Sequence, residues 1–199
     1  MEVKVLEATP RPIDLIGSIA GTSTGKEDPS RKRVETCIRR GHLSVLENAV
    51  ATLRIKDISR SCSHQLVRHR IASYCQASQR YTKLDGDIWY VTPESIENNP
   101  YYEAYKAFME SAETLYFELL DHGIKPEDAR FVLPEGTKTE ICMTMNLRSL
   151  FHFFDLRLDP HAQWEIRELA QRIHDELMNQ GMQWVDIICL YDRFAPFEA

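Results

Sequence analysis

The chain has 199 residues, 24 Lys+Arg against 30 Asp+Glu, a formal net charge of −6 and 43% hydrophobic residues, with aromatics at 10%. These values exclude a disordered chain and a broadly basic nucleic-acid binder, and the length suits one domain, residues 1–199, with a substantial core. No apolar stretch approaches the roughly 18 residues needed to cross a bilayer, so no membrane association is expected.

Residues 2–8 alternate apolar and polar as a short strand does, and the Gly-, Ser- and Thr-rich stretch from Gly17 to Pro29 reads as a loop. A charged helix over 30–40 closes at Gly41, and residues 49–56 alternate again as a second strand. Asp57 or Ser59 is placed to cap a helix running toward Val67. A short strand is expected over 87–91. Between Pro100 and Gly123, the residues Tyr101, Tyr105, Phe108, Ala112, Leu115 and Leu119 form a helical apolar stripe that reads as core. A strand over 139–145 feeds a helix from about Asn146 to Leu156. Asp159-Pro160 opens another, whose stripe of Ala162, Ile166, Leu169, Ala170, Ile173 and Leu177 runs to Gly181. With no repeats, low-complexity tracts or linker, the sum is a single mixed α and β domain, a small sheet flanked by long helices.

Met1-Glu2-Val3-Lys4-Val5 lacks a basic start followed by a hydrophobic run, so no secretory signal is expected. The five cysteines (Cys37, Cys62, Cys75, Cys142, Cys189) are odd in number, widely spaced and without C-x-x-C. They read as free thiols of a reducing cytoplasm rather than a disulfide framework or zinc site. Neither the cysteines nor the seven histidines show metal spacing, so no metal is expected. Gly21-Thr22-Ser23-Thr24-Gly25-Lys26 imitates a phosphate loop, but three residues separate its glycines where four are required, and Glu27 follows the lysine. No G-x-G-x-x-G or G-x-S-x-G is present.

The charge is unevenly spread. From Ile58 to Leu84 there is no acidic residue, while Arg60, Arg68, Arg70, Arg80, Lys83, His64, His69 and five serines fall there. Cations and hydroxyls without counter-charge repel one another unless an anion binds, and guanidinium forks match phosphate oxygens in pairs. On a helix, Arg68-His69-Arg70 would fan over about 200°. They therefore lie at a helix end or serve two walls of a pocket. Alternative readings are a solvated basic face, or a nucleic-acid or nucleotide-phosphate binding module without chemistry, with Tyr74, Tyr81 and Trp89 as stacking surfaces. The basic stretch is too local for a long nucleic-acid track, and no nucleic-acid partner is expected.

The segment Arg68-His69-Arg70-Ile71-Ala72-Ser73-Tyr74-Cys75-Gln76-Ala77-Ser78-Gln79-Arg80-Tyr81 resembles the signature of the flavin-dependent thymidylate synthases, R-H-R-x-x-S-x-x-x-x-S-x-R. Downstream, Asn146–Leu150 and Phe154–Ile166 resemble that family's second block, in the right order. The likeness runs from about Gly41 to Leu177.

The resemblance implies reductive methylation of dUMP to dTMP, with 5,10-methylenetetrahydrofolate as carbon donor and NADPH as reductant through FAD, on a homotetramer. It assigns flavin contacts to Ser44, Arg68, His69, Arg70, Gln76, Asn146, Arg148 and His152. It assigns dUMP contacts to Gln65, Arg68, Gln76, Ala77, Ser78, Gln79, Arg80, Arg130 and Arg157. Asn48 and Gln76 stand where relatives often carry His and Glu. Arg157 is the implied catalytic residue, facing the uracil and stabilising charge on the activated ring. From spacing, Arg148 and His152 share a helix face, while Arg157 points elsewhere. The bland alternatives are an Arg157–Asp159 ion pair and a His152 packed among Phe151, Phe153 and Phe154. Ser78 is read as a nucleotide-binding group and not a nucleophile, because no base stands near it in sequence.

Overall fold

Strict alternation along Lys138–Asn146 shows how the sheet is built. Thr139, Ile141, Met143 and Met145 are buried, and every residue between them is only half-buried. One face is therefore core and the other open. In the computed structural model, which describes residues 1–26, 28–80 and 89–194, this strand is β4. It joins β1 (Glu2–Ala8), β2 (Val50–Ser59) and β3 (Ala72–Gln76) in an antiparallel sheet of order β1-β2-β4-β3. The long helices α1 (Pro12–Gly21), α2 (Arg31–Arg39), α7 (Leu147–Arg157), α8 (Trp164–Met178) and α9 (Met182–Phe194) join its inner face in one apolar core. Lys4, Arg54 and Cys75 are exposed on the other face. The mixed α and β character, with a small sheet and long helices packed beside it, is as expected.

The expected loop from Gly17 is corrected. Residues 12–21 are helical, a short 3-10 turn follows at 22–24, and of the described residues before α2 only 25, 26 and 28–30 are irregular. Two of the three glycines in this stretch are there for close approach. A Cβ on Gly17 would lie 2.6 Å from the Ser30 backbone nitrogen, and one on Gly21 would lie 1.6 Å from the Lys26 carbonyl oxygen. Only glycine lets α1 lie against the chain entering α2.

β2 carries the device that begins the site. Its register against β4 shifts between Ile55 and Ile58, and Asp57 within that bulge has φ 58°, a left-handed conformation that Asp tolerates better than most residues. Beyond the bulge two consecutive residues, Ile58 and Ser59, are both buried. Ser59, not Asp57, caps α3 (Arg60–Leu66): its Oγ accepts the Cys62 amide at 2.9 Å.

Residues 89–137 form an excursion from the sheet, rejoined by a bridge between Tyr90 and Thr137. It contains α4 (Glu94–Glu97), α5 (Tyr102–Asp121) and α6 (Pro126–Ala129). The strand expected at 87–91 reduces to that bridge at Tyr90, residues 87 and 88 lying outside the described set. The apolar stripe of α5 is also corrected. Met109, Ala112 and Tyr116 are its buried residues, with Met109 and Ala112 packed beside Trp89, while Tyr101, Phe108 and Leu115 face outward. Further along the chain, α8 starts five residues later than expected, because Asp159 closes a turn on the His161 amide and Gln163 caps the Glu165 and Ile166 amides.

Candidate active site

Ser59 is the anchor of the site. Its amide donates to Glu165 Oε1 at 2.7 Å and its hydroxyl donates to Glu165 Oε2, both residues being buried. Glu165 sits in the first turn of α8, so this pair fixes the start of α3 against α8. At the far end of α3, the Gln65 side-chain amide donates to Gln163 Oε1 at 3.4 Å. Both ends of α3 are thus tied to the start of α8.

α3 ends at Leu66, and Arg68-His69-Arg70 form the turn that leads into β3. The helix-end alternative is the one observed. Tyr74 closes the turn, its hydroxyl lying 2.9 Å from the carbonyl oxygens of both Leu66 and His69. Burial raises the Tyr74 phenol to about 12, so it remains a neutral donor. Within the turn the side chains divide. Arg68 and Arg70 are exposed, whereas His69 is 9% exposed and turned inward.

The His69 ring meets Phe153 edge-on at 4.9 Å and lies 6.3 Å from the ring of His152. Its Nε2 accepts the Arg157 Nε–H at 3.0 Å. Burial, then the Arg157 charge, then His152, lower the imidazole to about 4. The group therefore binds a proton in the unfolded chain, near pH 6.5, before it does so in the native one. Stability present above that pH is lost as pH falls through the window from 6.5 toward 4.

Arg157, the last residue of α7, is half-buried, and its Nε–H is committed to His69. Asp159, its alternative partner, is engaged by the amide and ring of His161. On the same helix Arg148 pairs with Glu47 at 2.6 Å, reaching the 43–48 turn that carries the exposed Ser44. Asn146 spends its side-chain oxygen on the α7 cap, accepting the Ser149 amide at 2.9 Å. His152 is exposed while Phe151, Phe153 and Phe154 are buried, so it is not a packed core histidine.

A second group of cations gathers where β3 ends. Gln76 turns its amide under the strand, donating to Ser63 Oγ at 2.9 Å and Thr139 Oγ1 at 3.2 Å. Ala77 completes the pairing with β4 through the Glu140 carbonyl at 2.8 Å. The Ser78 hydroxyl accepts the Arg80 amide at 3.3 Å, and Gln79 is half-buried beside it. The Arg80 guanidinium holds the Glu127 carboxylate at 3.0 Å, and Arg130 donates to the Glu127 carbonyl oxygen at 3.0 Å. Arg80 and Arg130 thus touch the same residue, one at its carboxylate and the other at its backbone. Tyr81 and Lys83 lie outside the described residues.

Arg60 had no assigned role beyond the basic stretch. Its Nη2 donates to the Ala77 carbonyl at 2.9 Å, while its buried Nε has no partner among the described residues. Burial and the neighbouring Arg130 charge push its guanidinium below the usual value. The sequence signal was available: Arg60 follows the capping serine directly, in the first turn of α3. All five cysteines are free, and burial pushes the Cys62 thiol up. No metal-binding group of His, Cys, Asp and Glu occurs among the described residues, and none of their helices is long and apolar enough to cross a membrane.

The pattern describing the thymidylate synthase complementing proteins matches residues 4–180, so the likeness extends well before Gly41. A relative named flavin-dependent thymidylate synthase from Pyrococcus furiosus is 48% identical over 155 residues, covering 76% of this chain and 64% of the relative. One of the same name from Thermococcus onnurineus is 50% identical over 141 residues, covering 69% and 58%. Another, from Pyrococcus horikoshii, is 44% identical over 192 residues, covering 89% and 79%. The matched stretch therefore spans less than two thirds of the length of the first two relatives. The match across residues 4–180, together with these identities, shows that the chain belongs to the thymidylate synthase complementing protein family, the family of the flavin-dependent thymidylate synthases.

Proposed function

We propose that the protein is a flavin-dependent thymidylate synthase that methylates dUMP to dTMP, using 5,10-methylenetetrahydrofolate, NADPH and FAD. The observation that carries this reading is the placement of Arg157: its Nε is fixed by a buried imidazole while the residue as a whole is only half-buried. A guanidinium held in this way is suited to meet charge that develops on a substrate ring. In the reaction the uracil C5 takes the one-carbon unit and loses its proton, and Arg157 stabilises the negative charge that spreads to the ring oxygen.

Arg80 and Arg130 clamp the dUMP phosphate, with Arg60 beneath them and the Ser78 hydroxyl as a neutral donor. Glu127 holds the clamp in shape and is an exchangeable partner, since a half-exposed ion pair is worth little. Gln65, Arg68, Gln76, Ala77 and Gln79 form the remaining nucleotide wall.

The donor set fits a dinucleotide. Arg68, Arg70, Ser44 and His152 are exposed, and Arg148 is half-exposed, which suits a pyrophosphate and its sugars. These residues, with His69, Gln76 and Asn146, would hold FAD, which when bound supplies the hydride that completes the methyl group. We place residues 1–199 in one domain, working as a homotetramer in the cytoplasm. The outward apolar row of Phe108 and Leu115 on α5, with Tyr101 just before that helix and exposed Phe131 after α6, supports association between copies.

FAD binding tests the reading. The purified protein is expected to be yellow, or to quench flavin fluorescence when FAD is added. Failure of both, with strongly salt-dependent binding to oligonucleotides instead, would point to a phosphate-binding module. Ser78→Ala is expected to raise the dUMP KM about tenfold, the loss of one hydrogen bond to a charged group, with kcat largely kept. Steady-state kinetics check this, and complete loss of turnover at saturating dUMP with flavin retained would make Ser78 a nucleophile.

A further inference from the structure

We infer that His69 is a positioning residue for Arg157, the imidazole acceptor that sets which edge of the guanidinium faces the substrate. The inference rests on Arg157 acting at the uracil, as proposed above, and adds a role that a flavin contact at His69 does not supply.

The geometry is one-directional. Arg157 has only donors, so the His69 Nε2 at 3.0 Å must be an unprotonated acceptor, which leaves the ring proton on Nδ1. Using Nε–H in this bond removes one donor from the guanidinium and orients the four N–H bonds on its two outer nitrogens. Arg157 is the last residue of α7, where the backbone is fixed by the final helical hydrogen bond, from the Leu158 amide to the Phe154 carbonyl at 2.8 Å, but the side chain is not. A side-chain partner is what holds a long, flexible arginine at such a place.

His69 is itself held on several sides. Phe153 contacts its ring, Tyr74 closes the turn at its carbonyl, and its own amide donates to the Leu66 carbonyl at 3.2 Å. The charged and titratable groups around it are Arg157 and His152 from α7, the phenol of Tyr74 from β3, and the exposed Arg68 and Arg70 of its own turn. The positive neighbours and the burial all oppose a second ring proton, so the acceptor persists at neutral pH.

Two variants separate positioning from packing. His69→Leu keeps an apolar contact with Phe153 but offers no acceptor. His69→Gln is always neutral and places an amide oxygen near the Nε2 position. FAD and dUMP affinities are measured on each by fluorescence titration, so that any flavin contact is scored separately from turnover. His69→Leu is expected to lower kcat about 10²-fold with the dUMP Kd little changed, the scale of a misplaced reacting group, and His69→Gln to recover most of that loss. Equal losses in the two variants would overturn the inference.

A readout independent of turnover is nitrogen NMR of the histidines. His69 is expected as the Nδ1–H tautomer, titrating near pH 4 in the native protein and higher in Arg157→Gln. A native midpoint at the ordinary 6.5, or an Nε2–H tautomer, would contradict the junction. A wild-type protein that shows this tautomer but forms no dTMP would instead sink the functional reading and leave the junction standing.

Discussion

Arg157→Ala is expected to reduce dTMP formation by 10³-fold or more, at or beyond the range of about 10²–10³ for loss of a single preorganised donor at developing charge. The expectation exceeds a single hydrogen bond because a full cation is lost from a half-buried position, where solvent compensates poorly. The fold should survive. Arg157 is the last residue of α7 and takes no part in the apolar core, and its partner His69 is retained by Phe153 and the Tyr74-closed turn. Arg157→Lys should restore little, since an ammonium cannot both satisfy the His69 acceptor and present a planar edge to the uracil. Turnover measured beside circular dichroism and thermal unfolding checks this, and near-normal turnover in the alanine variant would remove Arg157 from the reaction.

Glu165→Ala is expected to cost stability on a similar scale of importance. The carboxylate accepts the Ser59 amide and the Ser59 hydroxyl, and Ser59 is 3% exposed. Deleting it leaves two buried donors unpaired, at about 1–3 kcal/mol each. For a domain of this size each kcal/mol lowers Tm by about 2–4 °C. The consequence reaches the site because Ser59 caps α3, and α3 sets Gln65 and the turn bearing Arg68, His69 and Arg70. Ligand affinity should therefore fall together with Tm. Glu165→Gln, which keeps one acceptor, should lose less. An unchanged Tm in Glu165→Ala would show that the pair does not anchor α3.

These two residues also mark what the sequence discloses and what it conceals. β4 and α7 were legible because strict alternation gives way at Asn146 to a helical pattern, and an asparagine before such a pattern is a cap. α2 was legible from Gly41, whose φ of 71° is the left-handed stop. α1 was hidden because Gly17 and Gly21 serve close packing, and glycine carries the same letter in a turn and at a contact. β3 was hidden because its residues Ser73, Cys75 and Gln76 belong to the signature and carry little apolar pattern. The outward row of α5 was misread because helical spacing names the faces of a helix but not which of them meets a core.

Within the candidate site, the signature named the residues, and their orientation was not legible. Nothing in Arg68-His69-Arg70 says that the histidine alone turns inward, since that depends on Phe153 and Arg157 more than 80 residues away. The Ser59–Glu165 anchor spans 106 positions and has no local trace. Arg60 was visible as charge, and only the fold brings it to the Ala77 carbonyl beside Arg130.

The central claim is the proposed reaction, in which the C5 proton of dUMP is removed and replaced with a methyl group. It is tested most directly by tritium release from dUMP labelled at C5, with FAD, NADPH and methylenetetrahydrofolate present. Release that depends on all three and matches dTMP formed one for one is the expected result. A folded, flavin-loaded protein that releases no tritium and forms no dTMP would contradict it.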